Sequence, residues 1–391
     1  MRVAIVRRLR GASISMDVHA DGLVSGLKAV RPNWQIIELT PKSYALDKNK
    51  SSWLEGLQKY YERYWRYPAT VKRQEADIFH IIDHSDAHIV YWLKGTGKSV
   101  TVTCHDLINF LQPENIHEGS RLSFISTIVW KFAVRGLHQA KHIISVSAHT
   151  AKDIVQILKI APERITVAPN GVDSLFRPLS PTEFKAFRQQ HQISPDTICL
   201  LNVGSNQPRK NVFTVLKAVQ ALRAQEVSVH LLKTGADFTR EQKVFIQKYN
   251  LDNCITYLGK PDKASLVEIY NAADILLSPS LYEGFGITIL EAMACGTAVI
   301  TSNVTSLPEV AGDAAILVEP MDVDAIVKAV LCLKNDADFY QRLINQGLTR
   351  AKLFTWEKTA EQVASIYETL VAKGSSKVSE FNKPQLLPFT D

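Results

Sequence analysis

The chain has 391 residues, 46% hydrophobic and 21% charged, with a formal net charge of +6. It is too long for one ordinary hydrophobic core and suits two α/β domains of roughly 180 residues each, with the composition of a soluble globular protein. No window holds the ~18 consecutive apolar residues of a membrane span, and Cys104, Cys199, Cys254, Cys295 and Cys332 stand singly, without metal spacing, which excludes a structural zinc and points to a reduced compartment.

Short β-branched runs alternate with longer helix-like stretches, the pattern of parallel sheets wrapped by helices. The first run, Val3–Val6, is followed by Arg7, Arg8 and Arg10, so the N-terminus reads as the first strand of a cytoplasmic enzyme and not as a secretory signal. In the loop after it, Gly11 could bring a backbone N–H to a phosphate. Further strands are predicted at Ile36–Leu39, Ile78–Ile82, Val100–Thr103, Ile143–Val146 and Ile165–Ala168. Before the second of these, the aromatic and basic run Tyr60–Tyr67 suits either a membrane face, and hence a lipid-linked acceptor, or core packing. His80, His84 and His88, with Asp83 and Asp86, run from strand into loop; acceptor-site or packing roles are expected ahead of a metal site. Gly95-Thr-Gly-Lys-Ser99 looks like the end of a phosphate-binding loop, but Trp92 stands where its first glycine belongs and a strand follows, so that reading is rejected. His105 and Asp106 stand at the carboxyl end of the strand Val100–Thr103, where open parallel sheets present ligands, although a lone histidine there is more often structural.

Residues 1–170 hold 23 Lys and Arg against 15 Asp and Glu, a net +8, whereas the remainder has 22 against 24. The basic half is expected either to attract phosphates, whether of nucleic acid, anionic lipid or a lipid-diphosphate acceptor, or to be a solvated face.

In the second half the predicted strands are Ile198–Val203, Val227–Leu232, Ile255–Leu258, Ile275–Ser278, Ala298–Thr301 and Ala315–Val318, with a helix over Val212–Ala224. Six strands per half give two Rossmann-like domains, which imply a cleft. The break is placed at Arg177–Pro181. The expected organisation is a domain over 1–178, a second over 179–355, a helix over 356–373 and a flexible polar tail over 374–391.

Two runs carry chemistry. The first, Ser278 to Gly296, passes from a strand through a loop with Gly284 and Gly286 into a helix starting near Thr288. Converging amides at a helix N-terminus make an anion site, and glycines let the anion approach the main chain. Glu283 and Glu291, eight residues apart, suit a ligand that offers hydroxyls as well as phosphate. The second, Val203 to Asn211, again lies between strand and helix and offers Arg209 and Lys210 to a diphosphate. A surface Glu and a solvated basic turn are the plain alternatives.

Taken together, Glu283-Gly-Phe-Gly with Glu291-Ala-Met-Ala-Cys-Gly, Pro208-Arg-Lys-Asn211, Thr103-Cys-His-Asp106, Pro169-Asn-Gly-Val-Asp173, Tyr270-Asn-Ala-Ala-Asp274 and Ser306-Leu-Pro-Glu309 resemble the retaining glycosyltransferases of family 4. The resemblance implies the GT-B fold: two Rossmann-like domains facing each other across a cleft, with the last helix packed back on the first. It implies a nucleotide-sugar donor as substrate, no cofactor, no metal, no nucleic acid partner, and a glycan or lipid-linked acceptor. By the same resemblance Glu291 would hold the ribose hydroxyls, and Glu283 with the amides of Gly284, Phe285, Gly286, Ile287 and Thr288 would contact the transferred sugar. Arg209, Lys210 and Gly11 would hold the diphosphate, and His105 would lie near the reacting centre. An inactive nucleotide-sugar-binding relative and a nucleotide-sugar epimerase share the fold, and the fold alone does not choose among them.

Overall fold

The computed structural model describes residues 1–42, 52–111 and 124–375. Residues 376–391 of the expected tail lie outside the described residues. The chain forms two compact units: one takes the described residues up to Gly171 together with those from Trp356, and the other is Val172–Thr355.

The first unit is built on a six-stranded sheet of β1 (Arg2–Val6), β2 (Gln35–Leu39), β3 (Ile78–Ile81), β4 (Ser99–Cys104), β5 (His142–Ser145) and β6 (Ile165–Val167). All neighbours are parallel, in the order β2-β1-β3-β4-β5-β6. Side chains alternate across a strand, so in β1 Ala4 and Val6 join one core with Phe79, Ile81 and Val102, while Val3 and Ile5 join another with Leu23, Leu27 and Tyr367. A sheet buried on both faces needs near-continuous apolar strands, and such runs were the ones read from the sequence. The second core is closed by the helices Ile14–Val30 and Trp356–Ser375. They meet closely because Gly22 and Gly26 lack a Cβ: one built at Gly22 would lie 2.0 Å from Trp356 Cε2, and one at Gly26 would lie 2.4 Å from the Trp356 carbonyl oxygen.

The second unit repeats the plan with β7 (Ile198–Gly204), β8 (Val229–Gly235), β9 (Ile255–Tyr257), β10 (Ile275–Ser278), β11 (Ala298–Ser302) and β12 (Ile316–Val318). All neighbours are again parallel, in the order β12-β11-β10-β7-β8-β9. The helix Val212–Ala224 drives Val215, Leu216 and Val219 into a core with Leu200, Leu231, Leu277 and Ile300. This unit begins at Val172, ahead of the break expected at Arg177–Pro181. The Val172 N–H donates to the Phe354 carbonyl at 3.0 Å and Val172 bridges to Thr355, so pairing starts before the prolines.

Among the described residues no helix is long and apolar enough to cross a membrane.

Candidate active site

In the second unit the carboxyl ends of β7 and β10 carry the two runs singled out above. After β7, Pro208–Lys210 form one 3-10 turn, and Asn211 closes it in the left-handed region (φ 54°). The Asn211 side chain pays for no strain alone: its amide donates to the carbonyls of Pro279 at 2.9 Å and Pro320 at 2.7 Å, and it accepts from the Thr214 hydroxyl at 2.7 Å. The basic turn is thereby fastened to the loop that follows β10. The Leu281 N–H donating to the Arg209 carbonyl at 2.7 Å adds a second tie.

In that loop Glu283 accepts from Lys210 Nζ at 2.6 Å, Arg209 Nη1 at 2.8 Å and the Ser280 hydroxyl at 2.8 Å. The Glu283 amide donates to Thr305 Oγ1 at 3.2 Å and its carbonyl accepts from the Ser306 hydroxyl at 2.8 Å. Burial pushes the Glu283 pKa up, but the Lys210 and Arg209 cations outweigh it and hold the group at about 2. Glu283 is therefore a permanent carboxylate that aims both cations. Gly286 (φ 97°) caps the helix Ile287–Cys295 at its N-terminus, where a Cβ would meet Leu307 Cδ2 at 2.8 Å. The first-turn amides of a helix have no intrahelical partner. Here they belong to half-buried Ile287 and Thr288, next to buried Gly284, Phe285 and Gly286.

Glu291 does not join that cluster directly. It is buried one turn into the helix and accepts a 2.8 Å hydrogen bond from the Tyr270 hydroxyl. Burial raises its pKa from the ordinary 4.5 to about 7, with the Tyr270 bond pulling the other way. Tyr270, matched only as part of a run, is thus the residue that orients Glu291. The rest of that run is structural: Asn271 binds the main chain at Arg177 and Leu179, and Asp274 accepts from the Cys199 amide and Arg188.

In the first unit His105 is buried at the end of β4, and its Nε2 is 2.8 Å from the Ile82 carbonyl. A carbonyl only accepts, so Nε2 carries the proton and Nδ1 keeps its lone pair. Burial lowers the His105 pKa, which keeps the ring neutral. Sequence reasoning missed its neighbour His19, edge-on at 4.7 Å and 2.8 Å from Asn170 Oδ1. An isolated histidine in an amphipathic helix gave no signal. Gly11 has the positive φ (80°) a tight loop requires, but its N–H donates to Asp17 Oδ2 at 2.7 Å.

The histidine run pulls apart: His80 lies between Tyr367 and Thr103 in the core, and His88 bonds the Arg63 carbonyl at 2.9 Å. Among the described residues no group of three or more His, Cys, Asp or Glu could hold a metal ion. The aromatic run divides too. Tyr67 is buried and donates to the carbonyls of Arg7 and Leu39, whereas Tyr61 and Trp65 are 59% and 61% exposed.

The family model described as Glycosyl transferases group 1 matches residues 183–350, and that described as Glycosyltransferase Family 4 matches residues 6–174. The O-antigen chain mannosyltransferase B of Escherichia coli is 32% identical over 283 residues, which is 72% of this chain and 73% of that protein. A serotype-specific mannosyltransferase WbdA of Escherichia coli is 28% identical over 73% of this chain, which spans only 36% of that longer relative. Among solved structures, sucrose-phosphate synthase from Thermosynechococcus elongatus matches with a TM-score of 0.75 at 22% identity, covering 95% of this chain and 99% of that one.

Proposed function

The chain belongs to glycosyltransferase family 4, and from that premise we propose that it moves a hexosyl group, with retention, from a nucleotide-diphosphate sugar of the GDP-mannose or UDP-glucose type to a glycan or lipid-linked acceptor in polysaccharide or glycolipid synthesis. The observation that carries the donor side is the buried carboxylate of Glu283 holding Arg209 and Lys210 together beside a glycine-capped helix N-terminus. These groups form a preorganised positive site for a leaving diphosphate, whose charge grows as the glycosidic bond breaks. Two fixed cations supply what a metal would supply, so the reaction runs without one.

Glu291, oriented by Tyr270, binds the ribose hydroxyls. Glu283 and the amides from Gly284 to Thr288 contact the sugar. A phosphate oxygen reaching the Gly11 amide takes the place of the Asp17 carboxylate. Neutral His105 accepts a sugar hydroxyl at Nδ1. The acceptor oxygen attacks the anomeric carbon on the face the diphosphate leaves; the bond from that carbon to the phosphate oxygen breaks, and the departing phosphate oxygen takes the acceptor's proton. No protein nucleophile is needed.

The mannosyltransferase relatives favour a mannosyl donor. Exposed Tyr61 and Trp65 beside exposed Lys59 favour peripheral contact with an anionic membrane on its cytoplasmic side. The test is thermal-shift and donor-hydrolysis screening against UDP-, GDP- and ADP-sugars without metal, on the wild type and on Glu291→Ala. Stabilisation and turnover with one nucleotide class, lost in the variant, supports the reading. A folded wild type that answers to no donor overturns it in favour of a binding protein.

A further inference from the structure

One buried cation plays no part in the chemistry above. Lys233, the fifth residue of β8, is 0% exposed. Its Nζ donates to the carbonyls of Gly204 at 2.8 Å and Thr234 at 2.6 Å, the last residue of β7 and the last but one of β8. The same place is tightly closed by glycines: a Cβ on Gly235 would lie 2.2 Å from the Gly204 oxygen, and one on Gly204 would lie 3.6 Å from Lys210 Nζ. Lys233 therefore stands behind the turn that carries Arg209 and Lys210.

A charged group of this kind is not required to hold the strands. The Gly204 carbonyl already accepts from the Ala236 amide at 3.1 Å, and an apolar side chain of the same length would fill the slot without the cost of burying an ammonium. A buried structural lysine is ordinarily matched by a carboxylate. Among the described residues Lys233 forms no such ion pair. The charged groups that act on it are Lys210, from the basic turn, and Asp237, which is engaged by Lys243 at 2.6 Å. On the flanking strands its register partners are Asn202 and Tyr257, and the Tyr257 hydroxyl donates to the Gly235 carbonyl at 2.9 Å. Arg209, Lys210 and Lys233 thus share a region with Glu283 as the carboxylate that pairs with the first two.

We propose that Lys233 is a positioning residue of the donor site: it fixes the Gly204 turn and adds a third positive charge behind the place where the donor's diphosphate binds. The inference rests on the reading of this unit as a nucleotide-diphosphate site. It has a consequence that a packing role lacks. Burial first, and then the charge of Lys210, lowers the Lys233 pKa to about 8, whereas a bound diphosphate favours the protonated form. Binding therefore takes up a proton as pH rises past 8, and affinity falls there. Glu291 is already ionised in that range, as is the terminal phosphate of a nucleotide.

The experiment is titration calorimetry of the full chain with UDP, GDP and ADP and with their monophosphates, at pH 7.5 and 8.5, in two buffers of different ionisation enthalpy. For the wild type, one diphosphate is expected to bind with proton uptake at pH 8.5. Lys233→Met is expected to bind that diphosphate about tenfold more weakly, to change little toward the monophosphate, and to lose the uptake. A folded variant with wild-type diphosphate affinity and the same uptake overturns the proposal. Should the variant not fold, the wild type alone decides, because a diphosphate that binds at pH 8.5 without proton uptake overturns it equally. A wild type that binds none of the three diphosphates overturns the donor-site reading itself, a result separate from either of these.

Discussion

Glu283 is 6% exposed and stands between two cations, so its charge affects stability as well as binding. Its folded pKa of about 2 lies below the ordinary 4.5. The sign follows: the stabilisation is fully present above about pH 4.5 and is lost as pH falls toward 2, amounting to about 3 kcal/mol. Glu283→Ala, which leaves Arg209 and Lys210 without their carboxylate, is expected to cost about 3–5 kcal/mol at neutral pH and to abolish turnover. Urea unfolding of wild type and variant at pH 7 and pH 3 checks it, since the gap should narrow at the lower pH. Glu291 behaves oppositely. Its pKa is raised to about 7, so folding is favoured by the protonated form below pH 4.5, and that contribution fades as pH rises through 7. On the proposed reading the carboxylate accepts from both ribose hydroxyls, so donor affinity should climb between about pH 6 and 7.5 in the wild type, and that climb should be absent in Glu291→Gln, as read by calorimetric titration. At this scale the sequence made the charged residues visible but not their pairing. Arg209 and Lys210 stood out as candidates for a diphosphate because they sit in a turn after a strand. That Glu283 binds both depends on two loops meeting, 73 residues apart for Lys210, and no local pattern encodes that.

At the scale of elements, the strand ends carry the constraint. Apart from β8, each predicted strand forms within one residue of its expected bounds, because strands buried on both faces must be apolar throughout. The largest misfit at a strand's C-terminal end is instructive: β8 was expected to stop at Leu232 and runs on to Gly235, since a buried lysine at position 233 reads as the end of an apolar run. The π-helical turn Glu62–Arg66 was equally illegible, because its hydrogen-bond spacing leaves no signature in residue type. The junction of β10 with the helix Ile287–Cys295 is a sensitive point of the second unit. Gly286→Ala would force an L side chain to φ 97° and set its Cβ 2.8 Å from Leu307. The expected cost is about 2–4 kcal/mol, seen as a lowered urea midpoint with unchanged slope, together with a loss of donor binding that Gly296→Ala, at the other end of the helix and 3.8 Å from its nearest neighbour, should not match.

At the scale of the molecule, the first unit depends on a helix that follows the whole of the second. Trp356, 8% exposed, lies against Gly22 and Gly26, and Arg31 pairs with Glu361 at 2.8 Å and Glu368 at 2.9 Å farther along. Trp356→Ala should therefore cost about 3–5 kcal/mol, and in a two-step unfolding curve the loss should fall on the step reported by probes in residues 1–171. The helix itself was expected over 356–373 and forms at Trp356–Ser375. Its partner was named through family resemblance and not from residue pattern, since nothing local in Gly22 or Gly26 announces a tryptophan more than three hundred positions away.

That same closure sets an order of events during synthesis. The helix that carries Leu23, Val24 and Leu27 is translated before residues 172–355, and its cover, Trp356 to Leu370, after them. Residues 172–355 hold their own core and complete it earlier, so the unit begun first is finished second. For the roughly 20–70 s that the intervening residues take at about 5–20 residues per second, a nascent chain of this protein carries an unclosed apolar groove, and it is there that a chaperone would act.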